Sequence, residues 1–216
     1  MHLHTNFTDG KASIAQVIRR AEELGLSEIA FTEHVRADSD WFARFVDEIR
    51  ELAEPSPVRV LVGAEVRITD FEGSLDISSA IRRQCDIILG SVHRFPDKNG
   101  QRQNFADTPK DDFADIEYRL SLGLIQQGSA DVLAHPGGMS SRYLGGFPDD
   151  LYLSLMAEAK RSGMAIEINS SYIKDFEKYL SLLEKTDPYI SIGSDAHLLS
   201  QLGECQSRLR EILWSN

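Results

Sequence analysis

Asp86–His93 reads DIILGSVH: a short, apolar, β-branched run that finishes on an imidazole. A run of that length and composition, bounded by polar residues, is a strand signal. The same construction recurs along the chain. Arg59–Glu65 (RVLVGAE) finishes on a carboxylate and Asp131–His135 (DVLAH) on a histidine. Glu28–Thr32 (EIAFT) runs on to His34, and Tyr189–Gly193 (YISIG) runs into Asp195 and His197. With MHLH at the start and Ala165–Asn169 (AIEIN), the count is seven strands.

Helical patterns separate them: Ile14–Gly25, Trp41–Leu52, Ile77–Arg83, Asp112–Gln127, Leu151–Ser162, Asp175–Lys185 and Leu199–Leu213. Ser13 and Gln16 make a capping box for the first, Ile14, Val17, Ile18, Ala21 and Leu24 form its apolar stripe, and Gly25 stops it. Strands this apolar are expected to be buried on both faces and paired in parallel. Functional residue types at successive strand ends favour a closed βα barrel. A doubly wound sheet would draw its site from fewer strands, at one switch point.

The 216 residues suit one domain, 1–216, with a sizeable core. Apolar residues at 42% and charged residues at 26% are ordinary for a soluble protein. No apolar run approaches membrane-spanning length, and no leader precedes the first motif, so a cytoplasmic protein without membrane contact is expected. Cys85 and Cys205 lack CxxC spacing and read as free thiols, with a single disulfide unsupported. The net charge of −11 disfavours extended nucleic acid but is neutral toward small phosphate esters, since divalent cations would offset it locally.

All six histidines fall in these motifs. His2 and His4, one residue apart, share a face if extended. HxH alone is weak, and a tag remnant is disfavoured because the sequence continues HTNFTDG. Asp195 and His197 repeat the offset, with a helix cap by Ser194 or Asp195 as the competing explanation. Glu65 ends so apolar a strand that it needs a counter-charge, either Arg67 or another arginine, or metal. His34, His93 and His135 are each ordinary taken singly. Together, the set points to a multinuclear metal site, and mixed imidazole and carboxylate donors suit Zn, Mn or Fe.

HLHTNFTDG, FTEH, VGAE, GSVH, AHP and GSDAH, in this order, resemble the PHP (polymerase and histidinol phosphatase) superfamily, in its stand-alone metal-dependent phosphoesterase branch. The resemblance implies a distorted seven-stranded (β/α)7 TIM-like barrel with two to three divalent metal ions at the C-terminal ends of the strands. It implies a first site of His2, His4, Glu65 and Asp195, a second of Glu65, His93 and His135, and a third of Asp9, His34 and His197. Many phosphatase members carry a histidine where this chain has Gly10, and Asp9 stands one position earlier. An aspartate that often precedes the first HxH is absent.

The expected activity is hydrolysis of a small phosphomonoester, histidinol phosphate-like or nucleotide-like, by a metal-bridging hydroxide. Glu65 and Asp195 would be catalytic, and Arg94, Arg142 and Arg36 are the candidates for gripping phosphate. Each arginine taken alone is more simply a solvated charge. Tyr143, Tyr172 and a metal-bound water are the candidate general acids. Two alternatives stand beside this reading. One is a 3′-5′ exonuclease or 3′-end phosphatase on nucleic acid, thinly supported by Lys98, Arg102, Arg142 and Tyr143. The other is a non-catalytic, metal-stabilised module. A Ser194–His197 hydrolase is poor, because two residues apart is not a triad geometry and no GxSxG is present.

Overall fold

The structure, a computed structural model, describes residues 2–96, 102–103 and 108–214, with the backbone alone at 102–103. In chain order the elements are α1 (Ile14–Glu23), β1 (Glu28–Val35), α2 (Phe42–Ala53), β2 (Arg59–Arg67), α3 (Ser79–Arg82), β3 (Ile87–Ser91), β4 (Phe95–Pro96), β5 (Arg102–Gln103) and α4 (Lys110–Gln127). Then come β6 (Val132–Leu133), α5 (Gly138–Leu144), α6 (Asp149–Ser162), β7 (Ala165–Asn169), α7 (Phe176–Thr186), β8 (Ile190–Gly193), a 3-10 turn (Leu199–Gln201) and α8 (Glu204–Trp214).

Six strands form one parallel sheet in the order β1-β2-β3-β6-β7-β8, and β4 and β5 make a separate antiparallel pair. Spatial order follows chain order without reversal, so the doubly wound alternative fails. The sheet is curled into a half-barrel. Both of its edges reach the same segment: Thr32 N–H donates to the Leu3 carbonyl beside β1, while His4 N–H donates to the Ala196 carbonyl beyond β8. The expected seventh strand is reduced to a single parallel bridge between Leu3 and Ala196. One reason is local. The Leu3 amide donates to the Thr32 hydroxyl at 3.1 Å, so it does not extend a backbone ladder.

Alternation along the strands explains the layers. Phe31 and Val35 of β1, with Val62, Ala64 and Val66 of β2, pack into one apolar cluster with Val17, Ile18, Phe42, Phe45 and Ile49 of α1 and α2. The residues between them, Thr32, His34, Gly63 and Glu65, face the concave side in matched register. A second cluster joins α4, α6, α7 and α8 to Ile166 and Ile168 of β7. Burial of both strand faces thus agrees with the apolar composition.

The departures from expectation have physical causes. β1 continues past Thr32 to Val35, so His34 stands within the strand. β6 is short because the chain turns at His135, whose φ is +30°. The expected helix Leu199–Leu213 is broken at Gly203, with φ +78°. Between the expected strand Asp131–His135 and the expected helix Leu151–Ser162, where no helix was expected, the chain forms α5. Its apolar pattern is weak, and a distant residue, Glu117, fixes its first turn. No helix among the described residues is long and apolar enough to cross a membrane. Both thiols are free, and burial pushes each up to about 12.

Candidate metal centre

Register places the cluster. β1 and β2 align so that His34 and Glu65 are direct partners, and Glu65 is in turn opposite Leu89 on β3. From there the carboxylate of Glu65 reaches five of the six imidazoles. Its Oε1 lies 3.0 Å from His93 Nε2 and 2.8 Å from His135 Nε2. Its Oε2 lies 2.8 Å from His34 Nδ1, 3.5 Å from His2 Nε2 and 3.6 Å from His4 Nε2. Arg67, the ordinary counter-charge, is taken by Asp76 at 2.8 Å. Asp195 Oδ1 adds 3.0 Å to His4 Nε2 and 3.4 Å to His2 Nε2. His197, the sixth imidazole, meets Asp9 Oδ2 at 3.3 Å, as does His34 at 3.4 Å.

These separations suit cations. Donors about 2.1 Å from one tetrahedral ion stand roughly 3.4 Å apart. Four groups of donors fall within such reach: His4, Asp9, His34, His197; His2, His4, Asp195; His2, Glu65, His135; and His34, Glu65, His93. They overlap through His2, His4, His34 and Glu65, so several ions could share donors. Three buried atoms in the cluster, His2 Nε2, His4 Nδ1 and Glu65 Oε2, lack any hydrogen bond, which is costly unless something else satisfies them. The fields are mixed. Burial disfavours charge on His2, yet the carboxylates of Glu167, Glu65 and Asp195 hold it well above the ordinary range. Burial pushes the neighbouring His4 down to about 4. Burial also opposes charge on Glu65, but His93 and His2 outweigh it and its carboxyl lies well below the usual range.

Depth differs across the cluster. Glu65, His2, His4 and His135 are buried, whereas the Asp9 side chain is 52% exposed at the mouth. The TDG turn brings Asp9 here. A Cβ on Gly10 would lie 2.3 Å from the His4 carbonyl oxygen, so a histidine at that position would force the turn away. The histidine that the resemblance would put at this position is therefore excluded locally, and Asp9 lies 3.9 Å from His4 Nδ1 instead.

Three buried glutamates that sequence reading missed hold the cluster in place. Glu167 of β7 accepts from His2 Nδ1 at 2.8 Å and from the His135 amide at 2.7 Å. It orients one imidazole and pins the backbone of another. Glu33 accepts from the Thr5 amide at 2.7 Å and from the hydroxyls of Thr5 and Thr8, tying down the loop that carries Asp9. Glu117 of α4 accepts from the amides of Met139 and Ser140 at 2.9 and 2.7 Å, capping α5 from a distance. Glu167 had a signal, since an acid inside AIEIN poses the same burial problem as Glu65. Glu117 had none on its long helix.

Two cluster residues, His135 and Asp195, have φ of +30° and +48°, a conformation that costs a non-glycine residue of order 1 kcal/mol or more. Asp195 does not cap a helix there. Ser194 accepts from the Cys205 amide at 3.2 Å, at the start of α8. Gly193 is needed for a different reason: a Cβ would lie 2.0 Å from Glu167 Oε1 and 2.8 Å from His2 Cβ. Gly193→Ala is expected to cost about 1–3 kcal/mol through overpacking. A urea titration checks it, and an unchanged midpoint would contradict this packing.

Asp9, His34, His93, Asp195 and His197 form part of the lining of a cavity of about 800 Å³. Arg36, Arg94 and Arg142 all line it, with Tyr143 and Tyr172. The Tyr172 ring lies 4.5 Å from that of His135, tilted by 31°, and Tyr143 is exposed, at 54%. Lys98 and the Arg102 side chain lie outside the described residues.

Comparison with known proteins identifies the family and the fold. A probable phosphatase of Thermoanaerobacter sp. (strain X514) is 30% identical, the alignment covering 98% of this chain and 83% of that protein. A probable phosphatase of Caldicellulosiruptor bescii is 26% identical over 95% and 82%. A crystal structure of a candidate histidinol phosphatase from Listeria monocytogenes superposes with a TM-score of 0.68 at 16% identity, over 96% of this chain and 98% of that one, and shows the same fold. The PHP domain profile matches residues 1–171. With six imidazoles and three carboxylates gathered at one end of a curled parallel sheet, the chain belongs to the PHP domain family.

Proposed function

We propose that this chain is a metal-dependent phosphoesterase that hydrolyses a small phosphomonoester. The observation that carries the proposal is Glu65, a buried carboxylate that meets five imidazoles and, among the described residues, no arginine, beneath a cavity with cationic walls. The relatives named probable phosphatases support the same reading.

His2, His4, Glu65 and Asp195 would hold one ion, Glu65, His93 and His135 a second, and Asp9, His34 and His197 a third. Divalent ions supply Lewis acidity toward the phosphoryl oxygens and a nucleophile from water near neutral pH. The chain's own residues do the rest. Glu65 would offer one oxygen on the side of His93 and His135 and the other on the side of His2, His4 and His34. Asp195, between His2 and His4 and open to the cavity, orients the attacking water along the line of displacement. Arg36 and Arg94, directly beyond His34 and His93, bind the nonbridging oxygens of the scissile phosphate. Tyr172, whose ring lies 4.5 Å from that of His135, is the candidate to protonate the leaving alkoxide; burial, then Asp195 and Glu65, keep its hydroxyl protonated.

The test is metal removal and return. Chelator-stripped protein is expected to lose phosphate release by about 100-fold or more, and Zn, Mn or Fe to restore it. The panel would include metabolite phosphates, nucleotides and short oligonucleotides. Full activity in metal-free protein would overturn the metal role. Release from oligonucleotide ends alone would favour the nucleic-acid reading, and no release by metal-loaded protein would favour the non-catalytic one.

A further inference from the structure

The donor cluster is held in two different ways. The side chains of His2, His4 and Glu65 are at most 1% exposed and are fixed by the packing around them. Those of Asp9, His34 and His197 lie at the mouth, 52%, 37% and 31% exposed. Fewer buried contacts hold these three, so hydrogen bonds must set where their donor atoms point. His197 shows how this is done.

Three of its four polar groups have partners outside the donor group. The His197 carbonyl accepts from the Lys11 amide at 2.9 Å. Its Nδ1 lies 2.9 Å from the Asp195 carbonyl oxygen, with the carboxylate of the same residue 3.8 Å away. A carbonyl can only accept, so Nδ1 carries the proton. The neutral ring then presents a lone pair at Nε2, 3.3 Å from the Asp9 carboxylate. Two acceptors facing each other at that distance call for a cation or a proton between them. The third partner is Gln201. Its Oε1 accepts from the His197 amide at 2.9 Å and from the Leu198 amide at 2.9 Å. Of these holders of His197, Gln201 alone acts through its side chain.

Gln201 is the last residue of the 3-10 turn Leu199–Gln201. Leu199 and Leu202 anchor that turn by packing against the apolar cluster that includes α1 and α2, while Gln201 lines the cavity with His197. The bond from the Leu198 amide would be enough to cap the turn. The bond from the His197 amide falls one residue outside it, on the donor itself. The side-chain amide cannot be turned round, because two backbone N–H groups require an oxygen there. We propose that Gln201 is a positioning residue for the donor group Asp9, His34 and His197, tying its imidazole to a turn anchored in the core. This rests on the metal-dependent phosphoesterase reading. Among the described residues Gln201 bonds to no other member of the cluster, so its loss is expected to weaken this group alone.

The experiment titrates the chelator-stripped full chain with Zn by calorimetry, in wild type, Gln201→Leu, Gln201→Glu and His197→Ala. Gln201→Leu is expected to weaken one binding step about 10–100-fold, the step that His197→Ala removes, and to leave the others at wild-type affinity. Gln201→Glu still offers an oxygen to both amides and should keep that step at wild-type strength or tighter. In a His197→Ala background, Gln201→Leu should change nothing further. Wild-type affinity at every step in Gln201→Leu, an equal loss at all steps, or a Gln201→Glu protein as weak as Gln201→Leu would overturn the proposal. So would a wild type that titrates like His197→Ala. Metal steps as expected without phosphate release would sink the phosphoesterase reading and uphold the positioning role. If wild type takes up no Zn, the metal reading fails on its own account, and the role is read by amide hydrogen exchange. Slow exchange at His197 and Leu198 in wild type and Gln201→Glu, faster in Gln201→Leu, upholds it, and equal exchange in all three refutes it.

Discussion

Glu65→Ala is expected to lower kcat/KM for phosphate release by about 10³-fold or more, with the sheet still formed. Glu65 Oε1 serves His93 and His135 while its Oε2 serves His34, His2 and His4, so one substitution removes a donor from two neighbouring positions. Glu65→Gln keeps the volume but offers one carbonyl oxygen, and its amide would face imidazole nitrogens that themselves need an acceptor or an ion. It should therefore fall nearly as far. His135→Ala should lose activity for the same reason on one side only. The checks are ions bound per chain by elemental analysis, phosphate release, and a far-ultraviolet circular dichroism spectrum matching wild type. A Glu65→Ala protein with full metal content and full activity would end the proposed mechanism.

The second large effect should come from a residue that faces no substrate. Glu167 accepts from His2 Nδ1 with one oxygen and from the His135 amide with the other, so His2 is left with Nε2 toward Glu65 and Asp195. Glu167→Gln can satisfy only one of those two donors, because its NH2 would meet an N–H. Outer carboxylates of this kind are worth about 10–100-fold in metal affinity, and that weakening is the expected result. Calorimetric titration of stripped protein with Zn reads it directly. The loss of activity should be recovered by excess metal, which a direct catalytic role would not allow. Unchanged metal affinity would show that His2 is oriented by something else.

Much of this was legible along the chain. Apolar runs of strand length, each delivering an imidazole or carboxylate at its end, identified the parallel strands and the donors, because a two-residue period and the burial cost of a charge are properties of local sequence. Glu167 could have been read by the rule that picked out Glu65. The seventh strand was over-read: MHLH has the pattern of a strand, but a hydroxyl from Thr32 takes the amide that a ladder would need. α5 was under-read, since residues 137–149 carry turn-forming composition and the helix depends on Glu117.

The sequence by itself determined which residues could bind cations and that they would stand at strand ends. Only the tertiary structure decided that one carboxylate is shared among five imidazoles, that Gly10 excludes a bulkier residue, and that Asp9 reaches both His34 and His197. The reason is that ligand geometry depends on distances between strands and loops far apart in the chain. Those distances are set by sheet register, by curl and by buried hydrogen bonds, none of which has a local signature.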